Sequence, residues 1–281
     1  MLHYICKKKQ KQLFFTTNNN LGSKTQKPKE PNMAITTKLS DLVFGTPISA
    51  IEVPEHLNRT CATNVDFVDS AMGGQGFTPS SVTLFTGEPG AGKTTMVLTV
   101  ASAVAKKKDA MCVFNTAEES LFQIKKTVNR LGLTGDFACG NTSEIDDVLA
   151  GCQKMMDANP NKQMFIVIDS LQQMNATHER YGKGYRSDSL VLEKILTFCK
   201  ETHAIALIIN QVNKSGKAAG SNKLKHMVDA HMHLGVERKD QDFMGMRVLE
   251  TQKNRFGGCG HVFFLDLNNR GFTEVARVSA S

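Results

Sequence analysis

The sequence predicts an α/β fold with a mostly parallel central sheet flanked by helices and an antiparallel C-terminal edge. Three observations carry this expectation. From about Cys61 onward, strand-like and helix-like segments alternate. Uninterrupted apolar runs such as Met164–Ile168 have the composition of strands covered on both faces. From Val228 the pattern changes to strands joined by short turns, which suits an antiparallel finish.

The first element, Ser81–Thr86, alternates and is rich in β-formers. It runs into Gly87-Glu88-Pro89-Gly90-Ala91-Gly92-Lys93-Thr94-Thr95, a complete phosphate-binding loop. Gly87, Gly90 and Gly92 let successive backbone N–H groups turn toward phosphate oxygens. Lys93 is placed to reach the β- and γ-phosphates, and the Thr94 hydroxyl to bind Mg²⁺. Thr95–Lys106 has helical spacing, so its N-terminal dipole also faces the anion. The alternative, a glycine-rich turn before an ordinary helix, leaves the filled motif unexplained. The chain therefore binds a nucleoside triphosphate, ATP being the expected one.

The next elements follow in order. Met111–Asn115 is a short strand expected beside the phosphate-loop strand, and Ser120–Leu131 is a helix stopped by Gly132. Ser143–Ala158 is a helix with Thr142 or Ser143 available as cap and Asn159-Pro160 as its stop. After the strand Met164–Ile168 come the helix Asp188–Thr202 and the buried strand Ala204–Ile209. Val228–Gly235, Met246–Thr251 and His261–Leu267 complete the strand set.

Asp169 ends an apolar strand, where phosphate-loop enzymes place a carboxylate that holds Mg²⁺. Such an Asp is equally a turn former when taken alone, and the loop upstream favours the metal role. Glu118 and Glu119 follow the strand Met111–Asn115. Either both favour the helix start through its dipole, or one activates the attacking water. Glu118 is the expected base and Glu119 the helix-start residue. Asn210-Gln211 closes a buried strand, and Gln211 is the expected γ-phosphate sensor.

Two loops mix cations with small residues. Val212–Gly220 contains Lys214 and Lys217, and Asn175–Ser187 contains Arg180, Tyr181, Lys183, Tyr185 and Arg186. Cations interleaved with aromatic faces suit single-stranded DNA, although the same residues also make an ordinary solvated loop. Lys253 and Arg255 flank Asn254 at a turn. Spacing alone leaves them balanced between surface charge and fingers that reach a neighbouring subunit's γ-phosphate.

Charge narrows the reading less than its total suggests. The net charge is +7, yet residues 1–32 hold seven lysines against one glutamate, leaving only +1 for the rest. The basicity belongs to a tail, residues 1–34, rich in Lys, Asn, Gln and Thr and expected to be disordered. Met33-Ala34 offers an alternative start. Residues 35–60 are a lead-in, and 61–281 a single domain. No apolar stretch reaches the ~20 residues of a membrane span. Seven scattered cysteines without a Cys-x-x-Cys pair read as reduced thiols of a cytoplasmic protein with no zinc site.

Together these motifs resemble the ATPase core of the RadA/Sms DNA-repair helicases, within the RecA-like superfamily of P-loop proteins. The match runs through Met72-Gly73-Gly74, Thr86–Thr95, Thr116–Ser120, Ile168-Asp169-Ser170 and His226-Met227-Val228-Asp229. It is sharpest at Lys253-Asn254-Arg255-Phe256-Gly257 and covers about residues 61–278. The resemblance implies a RecA-like core in a ring-shaped hexamer that hydrolyses ATP between subunits and moves along single-stranded DNA. It also implies that Lys253 and Arg255 serve ATP use and DNA-dependent activity. Two departures stand out: the family's four-cysteine zinc module and its Lon-protease-like domain have no counterpart in these residues. The expected function is a DNA-dependent ATPase, a helicase, branch-migration motor or recombination mediator. The rival is a KaiC-like regulatory ATPase or assembly switch with no DNA role, which the near-neutral domain favours.

Overall fold

The computed structural model describes residues 45–211 and 221–278. The expected tail and the loop lysines Lys214 and Lys217 lie outside the described residues. After short 3-10 turns at Ile48–Ala50 and Glu55–Asn58 comes helix α1, Asp66–Ala71. Strand β1 (Val82–Gly87), helix α2 (Lys93–Ala105), β2 (Ala110–Thr116), α3 (Leu121–Arg130), β3 (Ala138–Gly140) and α4 (Ile145–Ala158) follow. Next are β4 (Gln163–Asp169), the short β5 (Ala176–His178) and β6 (Gly182–Tyr185), α5 (Asp188–Thr202) and β7 (Ile205–Gln211). The chain then forms α6 (Ser221–Met227), β8 (Ala230–Val236), β9 (Arg247–Asn254), β10 (Val262–Asn268) and β11 (Gly271–Val278).

Nine strands form one sheet in the order β11-β10-β9-β8-β1-β7-β4-β2-β3. From β8 to β3 every pairing is parallel, and β8 to β11 pair antiparallel. The inner strands are apolar at successive positions because both faces are covered. Phe85, Phe114, Phe165, Val167 and Ile209 pack with α2 on one face. Leu84, Val113, Ile166, Ile168 and Ile208 pack with α4 and α5 on the other. The two-residue repeat of a strand sends neighbouring side chains to opposite faces, so a continuous apolar run serves both cores. In β9–β11 buried residues such as Leu249, Phe263 and Leu265 alternate with more exposed ones, because that part of the sheet packs on one face.

Four expectations change. β2 is not beside β1: β7 and β4 lie between them, so a crossover carries the chain to the far side of the sheet. Glu119 does not start α3; Ser120 caps it, accepting from Gln123 N–H while the Gln123 side chain accepts from Ser120 N–H. The N-cap of α4 is Glu144 rather than Thr142 or Ser143, and no side chain caps its N–H groups. The segment Asn175–Ser187 is a small antiparallel hairpin, β5–β6, rather than an open loop. Among the described residues, no helix is long and apolar enough to cross a membrane.

Candidate nucleotide site

The phosphate loop leaves β1 at Gly87, whose Cα is pressed against β8; a Cβ there would lie 2.4 Å from the Leu234 carbonyl oxygen. Gly90 and Gly92 take φ of +77° and +104°, which turns the loop into the first turn of α2. Lys93 lies buried under the loop and donates from Nζ to the carbonyls of Gly87 and Glu88, each at 2.9 Å. Burial lowers its pKa, opposed by the negative charges of Asp169, Glu118 and Glu88.

Three neighbouring carboxyl-terminal strand ends meet beside the loop. From β4, Asp169 is almost fully buried and accepts from the Thr94 hydroxyl at 2.8 Å. Burial pushes the Asp169 carboxyl up to about 6, only partly opposed by that hydrogen bond. The nearby Glu118 and Glu119 charges push it further up, and Lys93 pulls it back. From the end of β2, Glu118 accepts at Oε2 from Gln211 Nε2 at 2.8 Å and from the Ser170 hydroxyl at 3.5 Å. Gln211 closes β7, level with Gly87 across the β1–β7 pair. Gln172 supports this end of β7, donating to the Asn210 side chain and to the Gln211 carbonyl.

Thus Lys93, Thr94, Asp169, Glu118 and Gln211 come together, although β2 and β1 are not neighbours. The backbone hydrogen bond from Ala117 N–H to the Asp169 carbonyl, 3.1 Å, brings the turn after β2 back over β4. Thr94 and Asp169 supply oxygen donors suited to a hard cation, and a desolvated carboxylate gains most from a positive charge. Glu118 is exposed and hydrogen-bonded through one carboxylate oxygen, the arrangement of a group that can orient and deprotonate water.

Lys253 and Arg255 are elsewhere. Lys253 pairs with His231 on β8, and His231 pairs with Leu84 on β1, three residues before Gly87. Its Nζ caps α6, donating to the carbonyls of Lys225, His226 and Val228 at 3.0, 3.1 and 2.6 Å. Arg255 donates to buried Asp229 at 3.1 Å, and Asp229 accepts in turn from Val82 N–H at the amino end of β1. Both cations therefore flank the edge of the sheet opposite the phosphate loop. Asn254 is fixed within the turn by accepting from Phe256 N–H. Gly73 and Gly257 pack backbone against backbone, where a Cβ on Gly257 would lie 3.0 Å from the Gly73 Cα.

The hairpin β5–β6 presents Arg180, Tyr181, Lys183 and Arg186 at the surface, with Tyr185 half-buried. Tyr181 and Tyr185 stack with centroids 5.2 Å apart, and His178 packs on both rings. Lys183 is paired with Asp147 at 3.7 Å. The hairpin is tied to the start of α4 by Ile145 N–H to the Asn175 carbonyl and Thr177 N–H to Asp146.

Several contributors were not singled out in the sequence: Gln172, the histidines behind β1, and Arg238. Thr86 hydrogen-bonds the rings of His231 and His233 at 2.8 and 2.9 Å. Burial holds His231 neutral, with a pKa down at about 3. Partners such as these depend on which strands adjoin, which no local motif records.

A phosphate loop at the switch between β1 and α2, a buried acid on β4 and an acid–amide pair that spans β4 from the ends of β2 and β7 define a RecA-like P-loop ATPase. Over this core the chain is RadA-like. It is 32% identical over 238 residues to DNA repair protein RadA of Aquifex aeolicus (strain VF5), covering 83% of this chain and 50% of that protein. It is 31% identical over 235 residues to DNA repair protein RadA of Mycobacterium tuberculosis (strain CDC 1551 / Oshkosh), covering 82% and 46%. A family model described as "ATPase: KaiC" matches residues 61–139. The crystal structure of a KaiC-like protein from Pyrococcus horikoshii OT3 shares the fold, with a TM-score of 0.62 and 19% identity over 78% of this chain and 99% of that one. The chain spans about half the length of the curated relatives it matches.

Proposed function

We propose that the protein is a single-stranded-DNA-dependent ATPase of DNA repair or recombination, working in the cytoplasm as a helicase, branch-migration motor or mediator. Its active sites are shared between identical subunits in a hexameric ring or a filament. One observation carries the reading: Arg255 sits beside the amino end of β1, while the phosphate loop leaves the carboxyl end. The five strand steps from Val82 to Gly87, at about 3.3 Å each, put roughly 17 Å between the two, too far for Arg255 to serve its own loop. A head-to-tail neighbour removes that separation, since such an interface joins opposite edges of the molecule.

In this mechanism the loop N–H groups and Lys93 hold the triphosphate, Lys93 exchanging its two carbonyl partners for phosphate oxygens. Thr94 and Asp169 hold Mg²⁺, which when bound neutralises phosphate charge. Glu118 orients a water and takes its proton as the water oxygen bonds to the γ-phosphorus and the bond to ADP breaks. Arg255 of the neighbouring subunit stabilises charge on the transferring group, with Lys253 beside it. Gln211 joins Glu118 to the segment containing Lys214 and Lys217, giving bound DNA a route to the base. The exposed face of Tyr181 and the cations of the β5–β6 hairpin are a second DNA contact.

ATP turnover with and without single-stranded DNA, together with DNA binding across a salt series, tests the reading. Stimulation of turnover and binding that weakens steeply with salt are expected. Unstimulated turnover with no salt-sensitive binding would replace it with a regulatory ATPase or assembly switch of the KaiC-like kind.

A further inference from the structure

Glu88 stands inside the phosphate loop, next to the place where a triphosphate must bind, and a bare carboxylate there repels its ligand. The structure compensates it from a distant part of the chain. Arg238, in the connection between β8 and β9, grips Glu88 with both arms of its guanidinium: Nη1 to Oε1 at 2.9 Å and Nη2 to Oε2 at 2.5 Å. The hydrogen bond to Arg238 is the largest influence holding the Glu88 carboxyl below the usual carboxylate range. The glutamate is the more enclosed partner, with 26% of its side chain exposed against 63% for the arginine.

Arg238 is itself well placed. The Glu237 carboxylate accepts from the N–H groups of Arg238, Lys239 and Asp240 at 2.9, 2.7 and 3.2 Å, fixing the turn that carries the guanidinium. Backbone bonds between Glu237 and Gly245–Met246 close the connection at its base. Beneath it, Gly87 presses on Leu234 and Thr86 bonds His231 and His233, so the loop entrance is packed and hydrogen-bonded against β8.

From this geometry we infer that Arg238 is a positioning residue for ATP binding: it neutralises Glu88 and fixes its side chain clear of the phosphates. The inference rests on the ATPase site alone and is independent of DNA or a shared subunit boundary. An exposed fork of this kind contributes little to folding, so its loss shows in nucleotide affinity rather than in Tm. The loop holds substrate and transition state alike, so the change appears in KM more than in kcat.

The test is steady-state ATP turnover without DNA, with direct titration of a fluorescent ATP analogue, on the full chain. Arg238→Ala is expected to raise KM and the analogue's Kd about tenfold, with kcat within about twofold and Tm nearly unchanged. Adding Glu88→Gln to Arg238→Ala is expected to recover most of that loss, because the uncompensated charge is gone. Arg238→Lys, which keeps the charge and loses the fork, should fall between wild type and Arg238→Ala. It also serves if the alanine variant folds poorly. A KM within twofold of wild type for Arg238→Ala, or a double variant no better than the single one, overturns the assignment. Failure of wild-type protein to bind the analogue would instead sink the ATPase reading itself.

Discussion

Gln211 Nε2 donates to Glu118 Oε2 at 2.8 Å, joining the end of β7 to the turn after β2 across the intervening strand β4. This bond fixes one carboxylate oxygen of Glu118, the proposed base, and leaves the other without a hydrogen bond from these partners. It also attaches Glu118 to the strand that leads into residues 212–220.

Glu118→Gln should therefore lower ATP turnover about 10²-fold or more while nucleotide binding stays within a few-fold of wild type. Gln211→Ala should lower turnover less, about tenfold, and should remove most of the stimulation by DNA. Rapid-quench turnover with and without single-stranded DNA separates the two outcomes. Equal loss of basal and stimulated rates in Gln211→Ala would remove it from the coupling role.

Asp169 gives a pH-dependent prediction. Burial raises its folded pKa from 3.8 to about 6, so its contribution to stability is full below the unfolded pKa and is lost as pH rises through about 6. At neutral pH the ionised, desolvated carboxylate costs the metal-free protein on the order of 3 kcal/mol. Asp169→Asn should accordingly raise the metal-free Tm at pH 8 and leave it nearly unchanged at pH 4, while abolishing Mg²⁺-dependent turnover. In the wild type, Mg²⁺ half-saturation should rise about tenfold per pH unit below pH 6. Thermal melts and Mg²⁺ titrations at four pH values check both statements.

The contact between Gly73 and Gly257 predicts a remote effect. Gly73 has φ of +96° and a Cβ there would lie 3.2 Å from the Gly257 Cα; a Cβ on Gly257 would meet Asn254 Nδ2 at 2.9 Å. Alanine at either position should cost about 1–3 kcal/mol by strain and overpacking. It should also displace the turn carrying Arg255, lowering turnover of the assembled protein without changing ATP affinity. Chemical denaturation and ATP titration of the two variants measure the separate effects.

Much of this organisation is legible in the sequence for identifiable reasons. The phosphate loop is one contiguous motif, and Asp169 and Gln211 each end a buried apolar strand, so both stand out along the chain. Strand order is not local. The expectation that β2 adjoins β1 failed because nothing in Met111–Asn115 records which strands intervene. The hairpin β5–β6 was hidden because its few residues include Gly182 and Gly184, both at positive φ, and show little apolar alternation. β11 was missed beside a bulge at Phe264/Leu265 that shifts its register against β10. Arg238 carried no signal at all: its partner lies 150 residues away in sequence.

The central claim, an active site completed by the neighbouring subunit, is tested most directly by mixing two inactive variants. Lys93→Ala removes the phosphate-binding cation, and Arg255→Ala removes the finger. Each alone should lose at least about 10²-fold in turnover. In a mixed assembly, some boundaries pair an intact phosphate loop with an intact Arg255, and ATPase activity should return to a fraction set by the mixing ratio. Activity that stays at the level of the separate variants, in assemblies shown to contain both, would contradict the shared site.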